Sequence, residues 1–329
     1  MEGNMRKVLV TGGCGYVGSV LVPKLAQKHR VTVLDSMLFG NHVKPMPNLT
    51  IIKGDIRDEQ VHALMYGVTD VIHLAAIAND PTSDLDPALT YSVNRDAVRR
   101  LARMARETGV RRFINASSSS VYGVKEEESV TEDLSLEPLT LYARLKAESE
   151  EIVGASSSKD FVTTSIRSAT VCGPSPRMRF DVIVNIMARS ALIDRVITVN
   201  GGGQYRPNVH IDDITDLYVT LLDVPGDKIN GKVYNFGSTN YTVREIAGMV
   251  SEEVGVSIRV DANVTDNRSY RINSDKIKRE LGLFPTRTIR QTIRDICYAF
   301  ANGMFPDPGA SRYYNIKTMK EQMEVKVSP

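Results

Sequence analysis

A tyrosine and a lysine four residues apart, Tyr142 and Lys146, form the pair in this sequence best suited to acid–base chemistry. Residues i and i+4 share one face of a helix, so the Lys146 ammonium can lie near the Tyr142 phenol. A nearby cation stabilises phenolate and lowers a phenol pKa from its reference value of about 10 towards neutrality. Such a tyrosine can take the proton of a substrate hydroxyl while hydride leaves its carbon. The spacing therefore predicts a site that oxidises an alcohol.

A glycine-rich turn near the start of the chain predicts a binding site for the cofactor that this chemistry needs. The segment KVLVTGGCGYVG, residues 7–18, runs from an apolar strand into Gly12, Gly15 and Gly18. This spacing puts one glycine at a tight strand-to-helix turn, one where backbone approaches a phosphate, and one where the helix packs on the strand. The N–H groups at the start of the helix then face an anion.

An acidic residue at the end of the second predicted strand indicates which dinucleotide would bind. Asp35 follows the apolar run 31–34, about 20 residues beyond the glycine turn, where a carboxylate can accept both ribose hydroxyls of the adenosine. A carboxylate there repels a 2′-phosphate, and the next residues, Ser36 and Met37, supply no arginine. The sequence therefore predicts NAD rather than NADP.

Three further strand ends supply candidate contacts. Asp55 follows strand 50–53 and is either a partner for the adenine amino group or a cap for the next helix, and both can hold. Ala75 and Ala76 follow strand 70–74, where small side chains leave room for a cofactor. The serines 117–120 follow strand 112–116 and could donate hydrogen bonds into the cleft, although a serine-rich loop is the alternative.

The elements that must position these residues alternate between strand and helix through the first half. This alternation predicts an α/β fold with a Rossmann-type doubly wound parallel sheet. The pattern changes after residue 173, where basic and amide side chains that suit a pyrophosphate and a nucleobase predict a smaller C-terminal substrate-binding domain. We expect residues 1–171 to form the NAD-binding domain, with 209–237 returning to it. Residues 172–316 then form mainly the second domain, and 317–329 a tail. The predicted helices include 19–27, 88–108, 141–153, 212–222, 242–254 and 287–302.

Composition excludes several classes of function. The 329 residues carry a formal net charge of +2 and are 42% hydrophobic, so no bulk field favours nucleic acid or an anionic membrane. No apolar run approaches the roughly 18 residues of a membrane span, and we expect a cytoplasmic protein. Three cysteines lack the paired spacing of a zinc site, and five histidines form no cluster, so no metal is expected. Cys14, inside the glycine turn, could alternatively be a reactive thiol.

A resemblance to a known family rests on motifs that follow one another from about residue 6 to about residue 300. They are TGGCGYVG at 11–18, GDIRD at 54–58, HLAA at 73–76, SSSSVYG at 117–123 and YARLK at 142–146. Together with Asp35 and Asn94, they resemble the extended short-chain dehydrogenase/reductases, specifically the nucleotide-sugar epimerase/dehydratase branch.

The resemblance implies roles for individual residues. Tyr142 would be the general base, Lys146 would hold the cofactor ribose and tune Tyr142, and Ser118 would hydrogen-bond the C4 oxygen of the sugar. The implied NAD contacts are Gly12, Gly15, Tyr16, Val17, Gly18, Asp35, Asp55, Ile56, Leu74, Ala75, Ala76, Asn94, Ser117, Tyr142 and Lys146. The candidates for contacts with the nucleotide sugar are Ser118, Ser119, Tyr142, Arg177, Asn185, Arg206 and Arg268.

The resemblance also implies an activity and an assembly. We expect an NAD-dependent epimerase of a nucleotide sugar, acting at C4 through a transient 4-keto intermediate, and a homodimer formed through helices 88–108 and 141–153. A C4 dehydrogenase or ketoreductase is an alternative with the same residues, and a non-catalytic NAD-binding regulator is an alternative of another class. A 4,6-dehydratase is less favoured, because dehydratases of this branch carry Asp-Glu where this chain has Ser119-Ser120.

Overall fold

The structure is a computed structural model that describes residues 5–261 and 269–327. Its strands, in chain order, are β1 Lys7–Thr11, β2 Arg30–Asp35, β3 Leu49–Lys53, β4 Asp70–His73, β5 Arg112–Ser118, β6 Val162–Ser168, β7 Thr170–Cys172, β8 Val196–Asn200, β9 Tyr205–Arg206, β10 Asn208–His210, β11 Lys232–Phe236, β12 Tyr241–Thr242 and β13 Ser257–Asp261.

The helices show the predicted alternation with the strands through the first half. In chain order they are α1 Gly18–Ala26, α2 Val61–Leu64, α3 Asp80–Ser83, α4 Pro87–Tyr91, α5 Ala97–Glu107, α6 Leu141–Ala155, α7 Ile183–Ile193, α8 Ile211–Leu221, α9 Gly226–Ile229, α10 Val243–Val254, α11 Asp275–Leu281, α12 Ile289–Ala301 and α13 Asn315–Val327.

The central sheet has seven parallel strands in the order β11-β6-β5-β4-β1-β2-β3. The order reverses direction at β1, as in doubly wound sheets, and this places a crevice at the carboxyl ends of β1 and β4. The predicted Rossmann-type fold is therefore confirmed. β11 adds the strand beside β6, and α8 packs against α1, so residues from the second half of the chain complete the sheet and one of its covering layers.

Alternation along the strands explains why both faces of this sheet are covered. Val8 and Val10 of β1 point into one hydrophobic cluster, which α1 and α8 close, whereas Leu9 points into another with Leu101 of α5 and Val153 of α6. Successive side chains of a strand face opposite sides, so an apolar run of this kind requires a helical layer on each side.

The predicted helix 88–108 is interrupted. Between α4 and α5, residues Ser92–Asp96 form a π-helical turn. Such turns widen a helix locally and are frequent at functional sites. Here the turn contains Asn94, whose buried side chain bonds the segment that follows β4. Helical periodicity does not reveal this interruption, because the residues on both sides keep helical spacing.

A second hydrophobic cluster lies under α7, α10 and α12. Phe180 stands at its centre, with its ring 5.3 Å from the rings of both Phe305 and Tyr313. Three two-stranded sheets, β10-β7, β12-β9 and β13-β8, accompany these helices. The segment predicted as a tail, 317–329, instead contributes most of helix α13. The division into two domains remains a prediction.

No helix within residues 5–261 and 269–327 has both the length and the apolar character to cross a membrane. Within the same ranges, no three His, Cys, Asp or Glu side chains cluster in a way that could hold a metal ion. Burial, followed by the charge of Asp35, raises the pKa of the Cys14 thiol to about 12. The reactive-thiol alternative for Cys14 is therefore wrong, because a thiol reacts as its thiolate.

Candidate active site

A cavity of about 1190 Å³ lies at the carboxyl ends of the parallel strands, where open α/β sheets bind their ligands. Of the predicted cofactor contacts, the residues that line it are Gly12, Gly15, Tyr16, Val17, Gly18, Asp35, Asp55, Ile56, Leu74, Ala75, Ala76, Ser117, Tyr142 and Lys146. Of the predicted substrate contacts, the residues that line it are Ser118, Ser119, Tyr142, Arg177 and Arg206. Arg268 lies outside the described residues.

The glycine turn leaves no space for side chains. Gly12 has a positive φ of 73°, and a Cβ added to it would lie 2.6 Å from the backbone nitrogen of Ala75. A Cβ on Gly18, the first residue of α1, would lie 2.5 Å from the Cα of Gly13. Bare backbone therefore faces the cavity at the start of a helix, which is the arrangement that a dinucleotide pyrophosphate requires. The residues present fit such a cofactor.

Replacing Gly12 by alanine is expected to weaken both folding and cofactor binding. Alanine at positive φ and in contact with backbone is strained, and such strain costs about 1–3 kcal/mol. The matched control is Gly248→Ala in α10, where an added Cβ meets nothing within 4 Å. This control should stabilise the helix by roughly 0.5–1 kcal/mol. Urea unfolding and an NAD titration of both variants provide the measurement, and equal stability of the two would contradict the packing argument.

Asp35 lies at the end of β2, where its carboxylate accepts hydrogen bonds from the backbone N–H groups of Cys14, at 2.9 Å, and Met37, at 2.7 Å. Burial raises the pKa of Asp35, and the two N–H groups oppose that rise. The carboxylate is thus tied to the glycine turn while it lines the cavity. This is the position from which a carboxylate can accept ribose hydroxyls.

The cap role predicted for Asp55 is wrong, because the next helix, α2, begins at Val61 and Gln60 is its N-cap. The Asp55 Oδ1 accepts a hydrogen bond from the backbone N–H of Arg57 at 2.8 Å, and the Arg57 guanidinium binds the same carboxylate. The hydrogen bond with the Arg57 side chain is the main reason that the pKa of Asp55 is lowered. Asp55 also lines the cavity, and its contact with adenine remains a prediction.

Helix α6 brings Tyr142 and Lys146 to the cavity. Thr140 caps the helix by accepting a hydrogen bond from the N–H of Ala143, which sets the start of the first turn. One turn separates the two side chains, and the Lys146 Nζ lies 5.9 Å from the centroid of the Tyr142 ring. That ammonium donates a hydrogen bond to the carbonyl of Ala116 at 2.6 Å.

The acidity predicted for Tyr142 is wrong for the protein on its own. Burial, with the charge of Asp80 as the second cause, raises the pKa of the Tyr142 phenol to about 12. Arg179 and a hydrogen bond with Ser118 oppose this rise. Lys146 does not produce the predicted shift, because its ammonium lies over the ring and binds a carbonyl, so the charges that act on the phenol come from other elements.

Lys146 itself is perturbed by its surroundings. Burial lowers the pKa of its ammonium to about 8, and the carboxylate of Glu150, one turn further along α6, opposes that fall. Glu150 also accepts hydrogen bonds from Arg167, at 2.7 Å, and from the hydroxyl of Ser117. Ser117 lines the cavity, but its hydroxyl is directed to Glu150 in this structure.

Two predicted contact residues, Asn94 and Asn185, are not among the residues that line the cavity. The Asn94 side chain accepts a hydrogen bond from the N–H of Ile77 and donates one to the Ile77 carbonyl. Asn185 is completely buried and bonds the N–H of Gly173 and the hydroxyl of Tyr16. Both amides therefore hold cavity walls in place, a role that residue type alone does not separate from ligand binding.

Arg177 lines the cavity as a buried cation. Its guanidinium lies 4.3 Å from the centroid of the Phe39 ring and donates to the Asn315 side chain at 2.6 Å. Burial, then the charge of Arg179, lowers the pKa of Arg177 to about 9. The Arg177 Nε is buried and has no hydrogen-bond partner among the described residues, so this wall has an unused donor.

The residues of the site that were not predicted include Asp80, Glu150 and Arg167. Asp80 lines the cavity beside Tyr142, and Glu150 and Arg167 form a buried ion pair behind Lys146. A signal existed for Glu150, since it follows Lys146 by four residues and so shares its helix face. None existed for Arg167, which comes from a strand distant in sequence.

Fold and site together define the class of protein. A doubly wound parallel sheet, a closely packed glycine turn at its crevice and a Tyr-x-x-x-Lys pair in the same cavity are the features of a dinucleotide-dependent enzyme of the Rossmann class.

Comparison with known proteins gives the family. The model of the NAD dependent epimerase/dehydratase family matches residues 8–237. A UDP-glucose 4-epimerase of Corynebacterium glutamicum is 26% identical over 91% of this chain and 96% of its own length. A dTDP-glucose 4,6-dehydratase of Streptomyces griseus is 28% identical over 84% of this chain and 89% of its own length.

Solved structures give the same result. MoeE5 in complex with UDP-glucuronic acid and NAD has a TM-score of 0.80 at 26% identity, covering 90% of this chain and 99% of that one. The dTDP-glucose 4,6-dehydratase DesIV of Streptomyces venezuelae, with NAD and TYD bound, has a TM-score of 0.79 at 27% identity, covering 90% and 98%. This chain belongs to the NAD dependent epimerase/dehydratase family, so the predictions of family, enzyme class and NAD as cofactor are confirmed.

Proposed function

We propose that this enzyme is an epimerase that inverts C4 of a sugar carried on a nucleoside diphosphate. The observation that carries this proposal is the joint position of Tyr142 and Ser118: both line the cavity, and Ser118 is one of the groups that lower the Tyr142 pKa. Relatives named as UDP-glucose 4-epimerases, in Corynebacterium glutamicum and Mycolicibacterium smegmatis, support it.

The residues of the chain divide the work of proton transfer. Ser118 orients the reacting hydroxyl by a hydrogen bond, and Tyr142 removes its proton and later returns it. NAD, when bound, supplies the hydride acceptor and then the hydride donor at the same carbon. Lys146 contributes a positive charge and a donor beside the cofactor site, held in orientation by the Ala116 carbonyl. The glycine turn, Asp35 and the neighbouring small residues Ala75 and Ala76 bind the cofactor.

The hydroxyls at 119 and 120 argue against dehydration. Elimination of water needs an acid and a base beyond Tyr142, and dehydratases of this branch carry Asp-Glu at these positions. Here the Ser119 hydroxyl bonds the hydroxyl of Tyr270 at 3.2 Å, and the Ser120 hydroxyl bonds Ser118 at 2.9 Å. Neither side chain can serve as a carboxylate, so we favour epimerisation over 4,6-dehydration.

Product analysis distinguishes the candidate functions. Purified protein is incubated with UDP-, GDP-, CDP- and dTDP-sugars, and products are followed by NMR with reduced nicotinamide absorbance recorded alongside. We expect a C4 epimer without accumulated NADH. Accumulated NADH or a released ketone would instead indicate a dehydrogenase, a 4-keto-6-deoxy sugar a dehydratase, and no conversion of any sugar the non-catalytic regulator.

We further propose that the region 172–316 binds the nucleoside diphosphate, through donors such as Arg206. Arg268 belongs to the same proposal.

The enzyme is proposed to be a cytoplasmic homodimer of carbohydrate biosynthesis, with α5 and α6 forming the interface. Arg99 and Arg103 of α5 are 64% and 65% exposed, so they are available to a partner. Sedimentation equilibrium tests the assembly, and a monomer at micromolar concentration would refute it.

A further inference from the structure

The segment that follows β4, residues 77–83, carries an unusual backbone strain. Asn79 has φ 80° and ψ 147°, a backbone conformation that residues other than glycine rarely adopt. Strain of this kind persists only where the surrounding structure enforces it, and it concentrates at functional sites. The segment also lines the cavity beside Tyr142.

Side chains from several elements hold this segment. Asn94 bonds both backbone groups of Ile77, at 2.8 and 2.9 Å. Asn315, at the start of α13, donates to the Ala78 carbonyl at 3.3 Å, and the amide of Asn79 donates to Asp181 at 3.3 Å. The strained conformation is thus fixed from outside the segment, and its position in the cavity is defined.

The group that this strain positions is the carboxylate of Asp80. Its Oδ1 accepts a hydrogen bond from the Thr140 hydroxyl at 2.7 Å, which couples it to the cap of α6 and hence to Tyr142. Asp80 is also the charge that most raises the pKa of Tyr142 after burial itself. The carboxylate therefore lies in the part of the cavity where the base acts.

The preceding residue, Asn79, carries a second acceptor. The Oδ1 of Asn79 is buried and has no hydrogen-bond partner among the described residues. Leaving a buried acceptor unsatisfied costs free energy, so such a group is a candidate for a ligand donor. Two adjacent acceptors, one of them anionic, suit a ligand that brings hydroxyl donors and no negative charge of its own.

We infer that Asn79 and Asp80 select the sugar, accepting hydrogen bonds from ring hydroxyls next to the reacting one and disfavouring sugars that carry a carboxylate. The inference rests on the proposed function, because it assumes that a nucleotide sugar occupies this end of the cavity. It assigns a neutral hexose as the substrate class and excludes uronic acids. The structure of MoeE5 with UDP-glucuronic acid shows that a relative accepts such a sugar.

Equilibrium binding tests this assignment. NAD-loaded protein carrying Tyr142→Phe, which prevents conversion, is titrated with UDP, UDP-glucose and UDP-glucuronic acid, and with dTDP and dTDP-glucose. Affinities for each sugar nucleotide are expressed relative to the nucleotide alone. We expect the glucose form to bind more tightly than the glucuronic acid form. Asp80→Asn should weaken the glucose form by about tenfold, the effect typical of a lost hydrogen bond to a charged group, and reduce the discrimination.

Asp133→Asn is the matched control, since it removes the same charge from an exposed position that does not line the cavity. It should change these ratios by less than twofold. Three outcomes would each overturn the inference. They are unchanged ratios in Asp80→Asn, equal changes in both variants, and tighter binding of the glucuronic acid form than of the glucose form when Tyr142→Phe is the only substitution. Should Asp80→Asn fail to fold, Asp80→Glu retains the charge, and loss of discrimination against glucuronic acid in that variant would also overturn it.

The outcome separates this inference from the proposed function. Binding of the glucose form without C4 inversion by the enzyme with Tyr142 intact would refute the epimerase and leave the role of Asp80 standing. Binding of the nucleotide alone, with no gain from either sugar, would refute the role of Asp80. Failure of every nucleotide to bind would refute both.

Discussion

Tyr142→Phe is expected to lower kcat for nucleotide-sugar conversion by about 10²–10⁴-fold while leaving the affinity for NAD within a few-fold of the original. The range is the usual contribution of a positioned acid or base. The substitution removes only the hydroxyl, and the aromatic ring still fills its place at the cavity wall beside Lys146. Initial rates by NMR and an NAD titration provide the two measurements.

The control for this variant is Tyr298→Phe, the same chemical change at a side chain that is 72% exposed on α12. It should leave both quantities unchanged. If Tyr142→Phe retained full activity, the assignment of the base would be wrong, and if it lost NAD binding as well, Tyr142 would be a cofactor contact whose catalytic role had not been tested. Circular dichroism of both variants establishes that the fold is intact.

Glu150→Gln is expected to have the largest effect on stability, because it breaks a buried ion pair. Glu150 and Arg167 are both almost fully buried and lie 2.7 Å apart. Removing one partner leaves an uncompensated buried charge, which typically costs about 3–5 kcal/mol in free energy of unfolding. Urea unfolding at pH 7 measures this loss, and a change below about 1 kcal/mol would contradict it.

The same variant has a second expected effect, on the pH dependence of the site. Glu150 is the charge that keeps the pKa of Lys146 from falling below about 8. Without it, the pKa of Lys146 falls further, so the ammonium loses its proton earlier as pH rises. Any binding or turnover that needs this charge should therefore fail at a lower pH than in the unmodified protein. His73 on β4 also faces Lys146, but burial lowers the pKa of His73 to about 3, so it stays neutral throughout.

Arg167→Met separates the two effects. It breaks the same ion pair and should be destabilising too, but it leaves the Glu150 carboxylate facing Lys146. We therefore expect the pH at which NAD binding weakens to fall in Glu150→Gln and not in Arg167→Met. Equal pH profiles would show that Glu150 acts through packing alone.

The sign of the stability change with pH follows from the lowered pKa of Lys146. Between about 8 and the ordinary lysine pKa of 10.5, the unfolded state holds the proton and the folded state does not. Unfolding then takes up a proton, so the Lys146 contribution makes the folded state more stable as pH rises through this window. In Glu150→Gln the window should extend to lower pH.

Much of the fold could be predicted because local rules govern it. Val8, Leu9 and Val10 form an apolar strand whose faces must both be covered, and the glycines after it can only form a tight turn. These are properties of consecutive residues, so the parallel sheet and the cofactor site followed from them. The position of Tyr142 and Lys146 on one helix face followed in the same way.

The roles of individual polar residues could not be read so directly. Asn94 and Asn185 have the right chemistry for ligand contacts, yet the structure uses both amides to hold backbone. Which donor meets which acceptor depends on segments far apart in the chain, such as the one after β4 and the start of α13. Sequence spacing carries no information about such pairs.

The sequence by itself determined the fold class, the cofactor and the pair of residues that can perform acid–base chemistry, because these depend on residue type and short-range spacing. Only the tertiary structure decided the charges around that pair. Burial and Asp80 raise the pKa of Tyr142, and Glu150 supports the charge of Lys146, as a consequence of which elements pack together. Electrostatic interactions depend on distance in space and on exclusion of water, and folding sets both.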